Sequence, residues 1–282
     1  LVTNTKKPEI YIYKDDYIAT ERNLIKYCDI TKEIVESTGI YTPMGEIIII
    51  KALSDGYVQI AGPSIATQMA KVCESFKGYS DGKILIDGAL ERKSIATGKV
   101  SNVAILSSGA SYSVDIEKTV RDTIFTSMLF SLPEYKLNLP DDFNKENYSD
   151  KYYIIEENHL KRNSEKVDLK EIWAKESDIE SVFVNGALTD AMIKPLLLSN
   201  AKLEGKRLVF FDGSRILINY ENFEKLIQRG MIFSCIDRIN ILAITINPFS
   251  AYGNHYDAGE FLERMKKYTN LPVINIAEKY RG

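Results

Sequence analysis

Four apolar segments of this sequence end in small polar residues, and these endings are the first candidates for chemistry. They are Asp87-Gly88, Ser107-Ser108-Gly109, Asn185-Gly186 and Asn247-Pro248. In parallel sheets, ligands bind outside the carboxyl ends of the strands. If the apolar segments are parallel strands, each of these endings is a candidate ligand contact.

Asp87 is the most specific of the candidates. An aliphatic strand that ends in aspartate is how nucleotide hydrolases hold magnesium opposite a phosphate-binding loop, which would make Asp87 the catalytic and metal-binding carboxylate. The backbone after Ser107 could bind an anion, because glycine allows close approach and a predicted helix begins nearby. The nucleotide contacts expected on this hypothesis are Gly88, Ser107, Ser108 and Gly109. The alternative is a plain strand-to-helix turn.

The phosphate-binding loop itself is not found. No GxxxxGK[ST] pattern occurs, since Gly62–Thr67 lacks the lysine and Gly98-Lys99 lacks the upstream glycine and the hydroxyl residue. Without that loop, the β- and γ-phosphates of a nucleotide have no cradle. Either the chain binds no nucleotide, or the loop is expected in a segment before Leu1.

Other chemistries have less support. GxSxG and GxGxxG are absent, so neither a hydrolase nucleophile elbow nor a dinucleotide fingerprint is present. The only histidines, His159 and His255, lie in polar segments and are predicted to be solvated. Three widely spaced cysteines argue against a disulfide framework and a CxxC metal site, and they favour the reducing cytoplasm.

Charge and hydropathy exclude two classes of partner. The 36 basic and 39 acidic residues give a net charge of −3, so the basic footprint of a nucleic-acid-binding protein is absent. Every apolar run is far shorter than the roughly 18 residues that a membrane-spanning helix requires. We therefore expect a cytoplasmic protein that binds neither nucleic acid nor membrane.

Strand, polar loop and helix alternate along most of the chain, which is typical of parallel α/β units. A hairpin is predicted over Glu9–Thr20. Apolar runs predict further strands over residues 46–53, 57–61, 83–89, 103–106, 181–187, 207–211, 215–218, 239–246 and 272–276. Helical spacing predicts helices over residues 21–28, 65–76, 114–130, 189–198, 221–230 and 256–268.

A polar stretch over residues 131–151 interrupts this alternation and is the best candidate for a domain boundary. The sequence thus predicts two domains, residues 1–135 and residues 136–282. The predicted fold class is α/β, with a mostly parallel sheet flanked by helices and a second α/β half. Ile84–Leu90 and Val182–Leu188 share a pattern of apolar residues followed by Asp or Asn and Gly-Ala-Leu, which suggests a related strand ending in each half.

Six short motifs can be compared with a known family. They are Thr3–Pro8, Thr42–Glu46, Ala52–Gly56, Ala61–Ser64, Ile86–Ala89 and Thr245–Pro248. Together they resemble the small reactivase subunit of clostridial lysine 5,6-aminomutase, over the whole chain. That family accompanies aminomutases of amino-acid fermentation that use adenosylcobalamin and pyridoxal phosphate.

The resemblance implies a P-loop NTPase-like fold and a chaperone-like role. With ATP and magnesium and a larger reactivase subunit, such a factor exchanges damaged cobalamin on the aminomutase for intact cofactor. Members of the family look like P-loop proteins whose phosphate loop lies in an amino-terminal segment, so ATPase activity is expected only if that segment precedes Leu1. No DxHxxG motif occurs, and this chain is not expected to bind cobalamin itself.

Two other functions stay open at this point. A non-enzymatic α/β binding or scaffold protein fits a chain without a phosphate loop or a catalytic histidine. A small-molecule ligase or kinase would place Asp87, Asn185 and Asn247 around one shared cleft.

Overall fold

The chain divides into two compact units. The computed structural model describes residues 9–88, 100–141, 143, 148–162, 168–175 and 178–277. The first unit comprises residues 1–95 and 99–101, and the second comprises residues 96–98 and 102–282. The division lies near residue 100, whereas the sequence analysis placed a boundary between residues 135 and 136.

The polar stretch after residue 131 belongs to the second unit for a simple reason. The amide of Tyr135 donates to the carbonyl of Cys235 at 2.7 Å, and the amide of Cys235 donates to the carbonyl of Pro133 at 3.0 Å. Residues 133–135 of this segment therefore pair with the edge of a sheet.

The first unit is built mainly from antiparallel strands. Its strands are β1 (Ile10–Ile12), β2 (Tyr17–Glu21), β3 (Lys32–Thr42), β4 (Gly45–Ala52) and β5 (Gly56–Val58). A 3₁₀ helix over Arg22–Tyr27 follows β2, and α1 spans Ala66–Phe76. Strands β2, β4 and β3 form one sheet in that order, and β1 pairs with β5.

The sequence located most of these elements but paired them incorrectly. The predicted hairpin over Glu9–Thr20 is wrong, because β1 pairs with β5 whereas β2 pairs with β4. The long strand β3 was not predicted, because its sequence does not alternate regularly between apolar and polar residues. Ile47–Ile50 are completely buried, as expected for a strand covered on both faces.

The second unit contains the α/β alternation. Its strands are β6 (Ala104–Gly109), β7 (Tyr152–Glu156), β8 (His159–Arg162), β9 (Ser181–Val184), β10 (Leu188–Thr189), β11 (Arg207–Phe210), β12 (Ile216–Leu217), β13 (Ile232–Cys235), β14 (Ile241–Asn247) and β15 (Val273–Asn275). Its helices are α2 (Ile116–Phe130), α3 (Leu169–Lys175), α4 (Asp190–Leu197), α5 (Tyr220–Gln228) and α6 (Ala258–Lys267).

These strands form two main sheets. The five-stranded sheet has the order β13-β11-β9-β7-β8, in which β13, β11 and β9 are parallel and β7 runs antiparallel to both its neighbours. The three-stranded sheet has the order β15-β14-β6 and is entirely parallel. The protein is therefore a mixed α/β protein with parallel and antiparallel sheets.

Most helices and strands of the second unit match the prediction to within a few residues. The strands predicted over residues 207–211 and 215–218 do not pair with each other, because β12 pairs with β10 and β11 pairs with β13 and β9. Strands β7, β8 and β13 and helix α3 were not predicted. Charged residues interrupt the apolar runs of β8 and α3, whereas no charged residue interrupts β7 and β13, which are only five and four residues long.

Helix α2 packs against both sheets of this unit. Its Phe125 and Leu129 belong to the large core cluster that includes the five-stranded sheet. Its Val120 packs with Ile244 and Ile246 of the three-stranded sheet. The two sheets therefore share one helix, and the position of α2 fixes both.

Gly213 allows this helix to approach the loop after β11. A methyl group at Gly213 would overlap the carbonyl oxygen of Leu129. We predict that Gly213→Ala lowers the free energy of unfolding by about 3 kcal/mol or more, because a backbone atom cannot move aside as a side chain can. Chemical denaturation monitored by circular dichroism measures this change.

Gly259→Ala is the matched control in the same unit. Its new methyl group would lie 3.4 Å from Oδ1 of Asp257, an ordinary contact, and alanine favours a helix. We expect this variant to be as stable as the wild type or slightly more stable. Equal stabilities of the two variants would contradict the proposed role of Gly213.

Candidate functional site

Asp87 does not end a strand. Residues 83–88 have no regular secondary structure, and Leu85 is 92% exposed. Asp87 and Gly88 are exposed as well, and a methyl group at Gly88 would meet no atom within 4 Å. The predicted buried strand over residues 83–89 is therefore wrong for its described part, and its last residue lies outside the described residues.

The carboxyl edge of the three-stranded sheet does bring together two of the predicted endings. In the parallel pairing of β6 with β14, Ser107 lies beside Thr245, Ser108 beside Ile246 and Gly109 beside Asn247. Loops 110–115 and 248–257 then lead into α2 and α6. This edge is the candidate functional site, because it collects hydroxyl and amide groups at the carboxyl ends of parallel strands.

Ser107 and Ser108 point to opposite faces of the sheet. The hydroxyl of Ser107 is 2.9 Å from that of Thr245 on one face, and the hydroxyl of Ser108 is 2.6 Å from that of Thr123 of α2 on the other. Successive side chains of a strand alternate in this way. The two hydroxyls therefore cannot both contact one phosphate.

Gly109 is needed for strand packing. A Cβ atom at this position would lie 2.7 Å from the carbonyl oxygen of Asn247, and that oxygen accepts a hydrogen bond from the amide of Ala110. The sequence analysis expected an anion to approach the backbone at Gly109. In the structure, the backbone of β14 makes this close approach instead.

Both helix starts at this edge are capped by the chain's own carboxylates. Asp115 accepts a hydrogen bond from the amide of Glu117, and Asp257 accepts one from the amide of Glu260. The capping aspartate and the following glutamate place two negative charges at the start of each helix. Arg264 forms ion pairs with both glutamates, Glu117 and Glu260. An incoming phosphate would meet occupied amide groups and like charge, which disfavours anion binding here.

Side-chain hydrogen bonds join the two loops. The amide group of Asn254 donates to the carbonyls of Ala110 and Ser113 at 2.8 and 3.3 Å. The hydroxyl of Tyr256 donates to the carbonyl of Ser113 and lies 2.8 Å from that of Thr119. The sequence analysis did not single out Asn254 or Tyr256, because polar loop residues have no periodicity. These bonds hold the edge in one arrangement.

The second-half candidates Asn185 and Gly186 follow β9 in the five-stranded sheet. The side-chain amide of Asn185 donates to the carbonyls of Tyr148 and Asp150, so it holds a loop. Gly186 adopts a φ of +129°, which favours glycine. Asn185 and Asn247 therefore end strands of different sheets. The echo between Ile84–Leu90 and Val182–Leu188 is not a structural repeat over the described residues.

Lys151 lies beside this turn. Its ammonium group donates to the carbonyl of Ala187 at 2.7 Å, and burial lowers its pKa. His159 and His255 are exposed, as the sequence analysis predicted.

Within the described residues of the second unit, no helix packs on one face of the three-stranded sheet, which we call the uncovered face. Alternation along the strands places Ile105, Ser107, Thr245 and Ile274 on this face, opposite the residues that pack against α2 and α6. Ile105 is 57% exposed and Ile274 is 44% exposed. Parallel sheets normally have helices packed on both faces, so an exposed face of such a sheet is unusual.

The magnesium site expected at Asp87 stays a prediction, which the described residues do not test. Among them, no three histidine, cysteine, aspartate or glutamate side chains come together in an arrangement that could hold a metal ion. In the same part of the chain, no helix has the length and hydropathy needed to span a membrane. Comparison with protein-family models, curated proteins and solved structures finds no match to this chain.

Cys235 gives a prediction about thiol chemistry. Its side chain is fully buried, and burial, with a smaller contribution from Glu134, raises the pKa of the thiol to about 12. Because the thiolate is the reactive form, we expect Cys235 to react at about pH 8 at least ~100-fold more slowly than half-buried Cys28 and Cys73. Absorbance during reaction with an aromatic disulfide measures the three rates.

Cys235→Ala is the control, because it should remove the slow phase alone. Equal rates for three thiols in the folded wild type would contradict the prediction.

Proposed function

We propose that this chain is a non-enzymatic binding protein that docks onto a partner protein and turns over no nucleotide. The observation that carries the proposal is the uncovered face of the all-parallel sheet formed by β15, β14 and β6. Of the residues that alternate onto this face, Ile105, Ala243 and Ile274 are apolar, Ser107 and Thr245 carry neutral hydroxyls, and Asn247 carries a neutral amide. An exposed surface of this kind fits the apolar surface of another protein.

The expected partner follows from the sequence motifs. Their resemblance to the small reactivase subunit of lysine 5,6-aminomutase supports the larger reactivase subunit as the occupant of this face, with the aminomutase as the enzyme served. On this proposal the chain is a cytoplasmic scaffold of the reactivating assembly.

An ATP-dependent reactivating factor of P-loop NTPase-like fold is the second candidate. The observation in its favour is the meeting of Ser107–Gly109 with Asn247 at the carboxyl edge of a parallel sheet, where nucleotides often bind. The exposed position of Asp87 and the acidic helix starts argue for the binding protein instead.

Titration with ATP and magnesium distinguishes the two candidates. We expect no saturable heat up to about 1 mM ATP by calorimetry, because the edge offers capped helix starts and no lysine-bearing phosphate loop. Saturable binding that Asp87→Ala abolishes, together with phosphate release, would establish the second candidate and overturn the first.

Ile105→Lys tests the docking face. A charged side chain at the centre of an apolar interface loses its hydration, so we expect at least ~10-fold weaker binding to the larger reactivase subunit. Binding is measured by sedimentation velocity with the purified subunit. Circular dichroism should be unchanged, because the position is exposed.

Leu198→Lys is the matched control, since Leu198 is also highly exposed but follows α4 beside the other sheet. It should bind like the wild type. If Ile105→Lys binds equally well, or if the wild-type chain instead pairs with itself through this face, the proposed partner is wrong.

A further inference from the structure

Three tyrosines form an exposed aromatic patch on the first unit. Tyr11 of β1 and Tyr57 of β5 are partners in the antiparallel pairing, and their ring centroids lie 5.1 Å apart. The ring of Tyr13 contacts that of Tyr11 at 5.4 Å. Tyr11 and Tyr57 are each 47% exposed and Tyr13 is 64% exposed. We refer to these three residues as the tyrosine patch.

The strand alternation explains why these rings face outward. Ile12 of β1 and Val58 of β5 are buried in the core of the first unit, and Ile10 packs against the same core. The side chains between them must then point to the opposite side of the ribbon. Edge contacts between neighbouring rings restrict their rotation, so the patch is a pre-organised surface.

Three exposed carboxylates lie beside the patch. Asp16 accepts a hydrogen bond from the amide of Tyr13 at 2.9 Å, and Asp29 accepts one from the amide of Tyr57. Asp55 accepts one from the amide of Lys14 at 2.7 Å. These bonds fix the carboxylates without neutralising them.

No described lysine or arginine forms an ion pair with these three aspartates. The neighbouring Asp15 differs, since it pairs with Lys51 at 3.0 Å. The pKa of Tyr11 is raised, first by desolvation and then by the charges of Asp55 and Asp29, so the charges that act on this hydroxyl are negative. The patch therefore combines aromatic faces with carboxylates that form no ion pair with the described residues.

We propose that the tyrosine patch binds a basic segment of a partner protein, with arginine or lysine side chains over the rings and paired with Asp29 and Asp55. Tyrosine faces attract cations, and arginine also stacks on them. Tyrosine is enriched among the residues that dominate protein interfaces. The surface belongs to the first unit and stands independently of the sheet face proposed above.

The test uses hexa-arginine as the probe and the full chain as the receptor. Calorimetry should give saturable binding at about 20 mM sodium chloride that weakens strongly at about 500 mM, because salt screens exposed charges. Tyr11→Thr with Tyr57→Thr should weaken the binding at least ~10-fold, since threonine keeps the strand but removes the rings. Tyr13→Thr, which lies outside the strand, gives the same test without risk to the ribbon.

Further variants distinguish the contribution of the tyrosine rings to binding from that of the aspartate charges. Tyr11→Phe keeps the aromatic face and should bind within about 3-fold of the wild type. Asp29→Asn with Asp55→Asn keeps both hydrogen-bond acceptors, so the fold should survive while the salt dependence falls. Tyr252→Thr with Tyr268→Thr removes two exposed tyrosines of the second unit and should have no effect.

Several outcomes would overturn the proposal. They are unchanged binding by the folded tyrosine variants, equal binding of hexa-glutamate, or an equal loss in the control variant. Self-association that the tyrosine variants abolish would instead identify a second copy as the occupant. None of these results bears on ATP or on the sheet face, so the two proposals fail separately.

Discussion

The second unit depends on one shared helix. Helix α2 contributes Phe125 and Leu129 to the core of the five-stranded sheet and Val120 to the core of the three-stranded sheet. Its buried Thr123 donates to the carbonyl one turn earlier, which satisfies a polar group inside the core. Gly213 permits the close approach that this arrangement requires. A single helix therefore contributes to the cores of both sheets.

The same helix leaves the three-stranded sheet incomplete. α2 and α6 cover one face, and no helix in the described part of the second unit packs over the face with Ile105 and Ile274. A parallel sheet gains most of its stability by burying both faces, so an uncovered face favours association. The carboxyl edge of this sheet offers fewer free polar groups. Hydrogen bonds join its two loops, and aspartate side chains cap its helix starts. We therefore base the proposed function on the exposed sheet face and not on a ligand site at the carboxyl edge.

The two proposed surfaces differ in chemistry. The sheet face is neutral and apolar, and its contribution to binding would come from the hydrophobic effect. The tyrosine patch lies beside three carboxylates and would depend on salt. A chain with both surfaces could contact two partners, or two parts of one partner, through forces that respond differently to ionic strength.

Local sequence patterns predicted the elements better than the site. The spacing of apolar residues located α2, α4, α5 and α6, because a helix is specified by neighbours three and four residues apart. It located most buried strands as well. It failed at β3 and β8, whose described charged and polar side chains are exposed or half-buried, and at residues 83–88, where the aliphatic residues Ile84 and Leu85 are exposed. Whether a segment is buried depends on which other parts of the chain pack against it, and local sequence does not show this.

The sequence by itself determined that the protein is α/β and that Ser107–Gly109 and Asn247 lie at strand ends, whereas the predicted mostly parallel sheet is replaced by parallel and antiparallel sheets. Only the tertiary structure decided that these two endings meet, that Ser107 and Ser108 face opposite sides, and that Asp87 does not end a strand. Strand pairing joins residues that are far apart in the chain, so register cannot be inferred from local spacing. The tyrosine patch arises in the same way, from the pairing of β1 with β5 across more than forty residues.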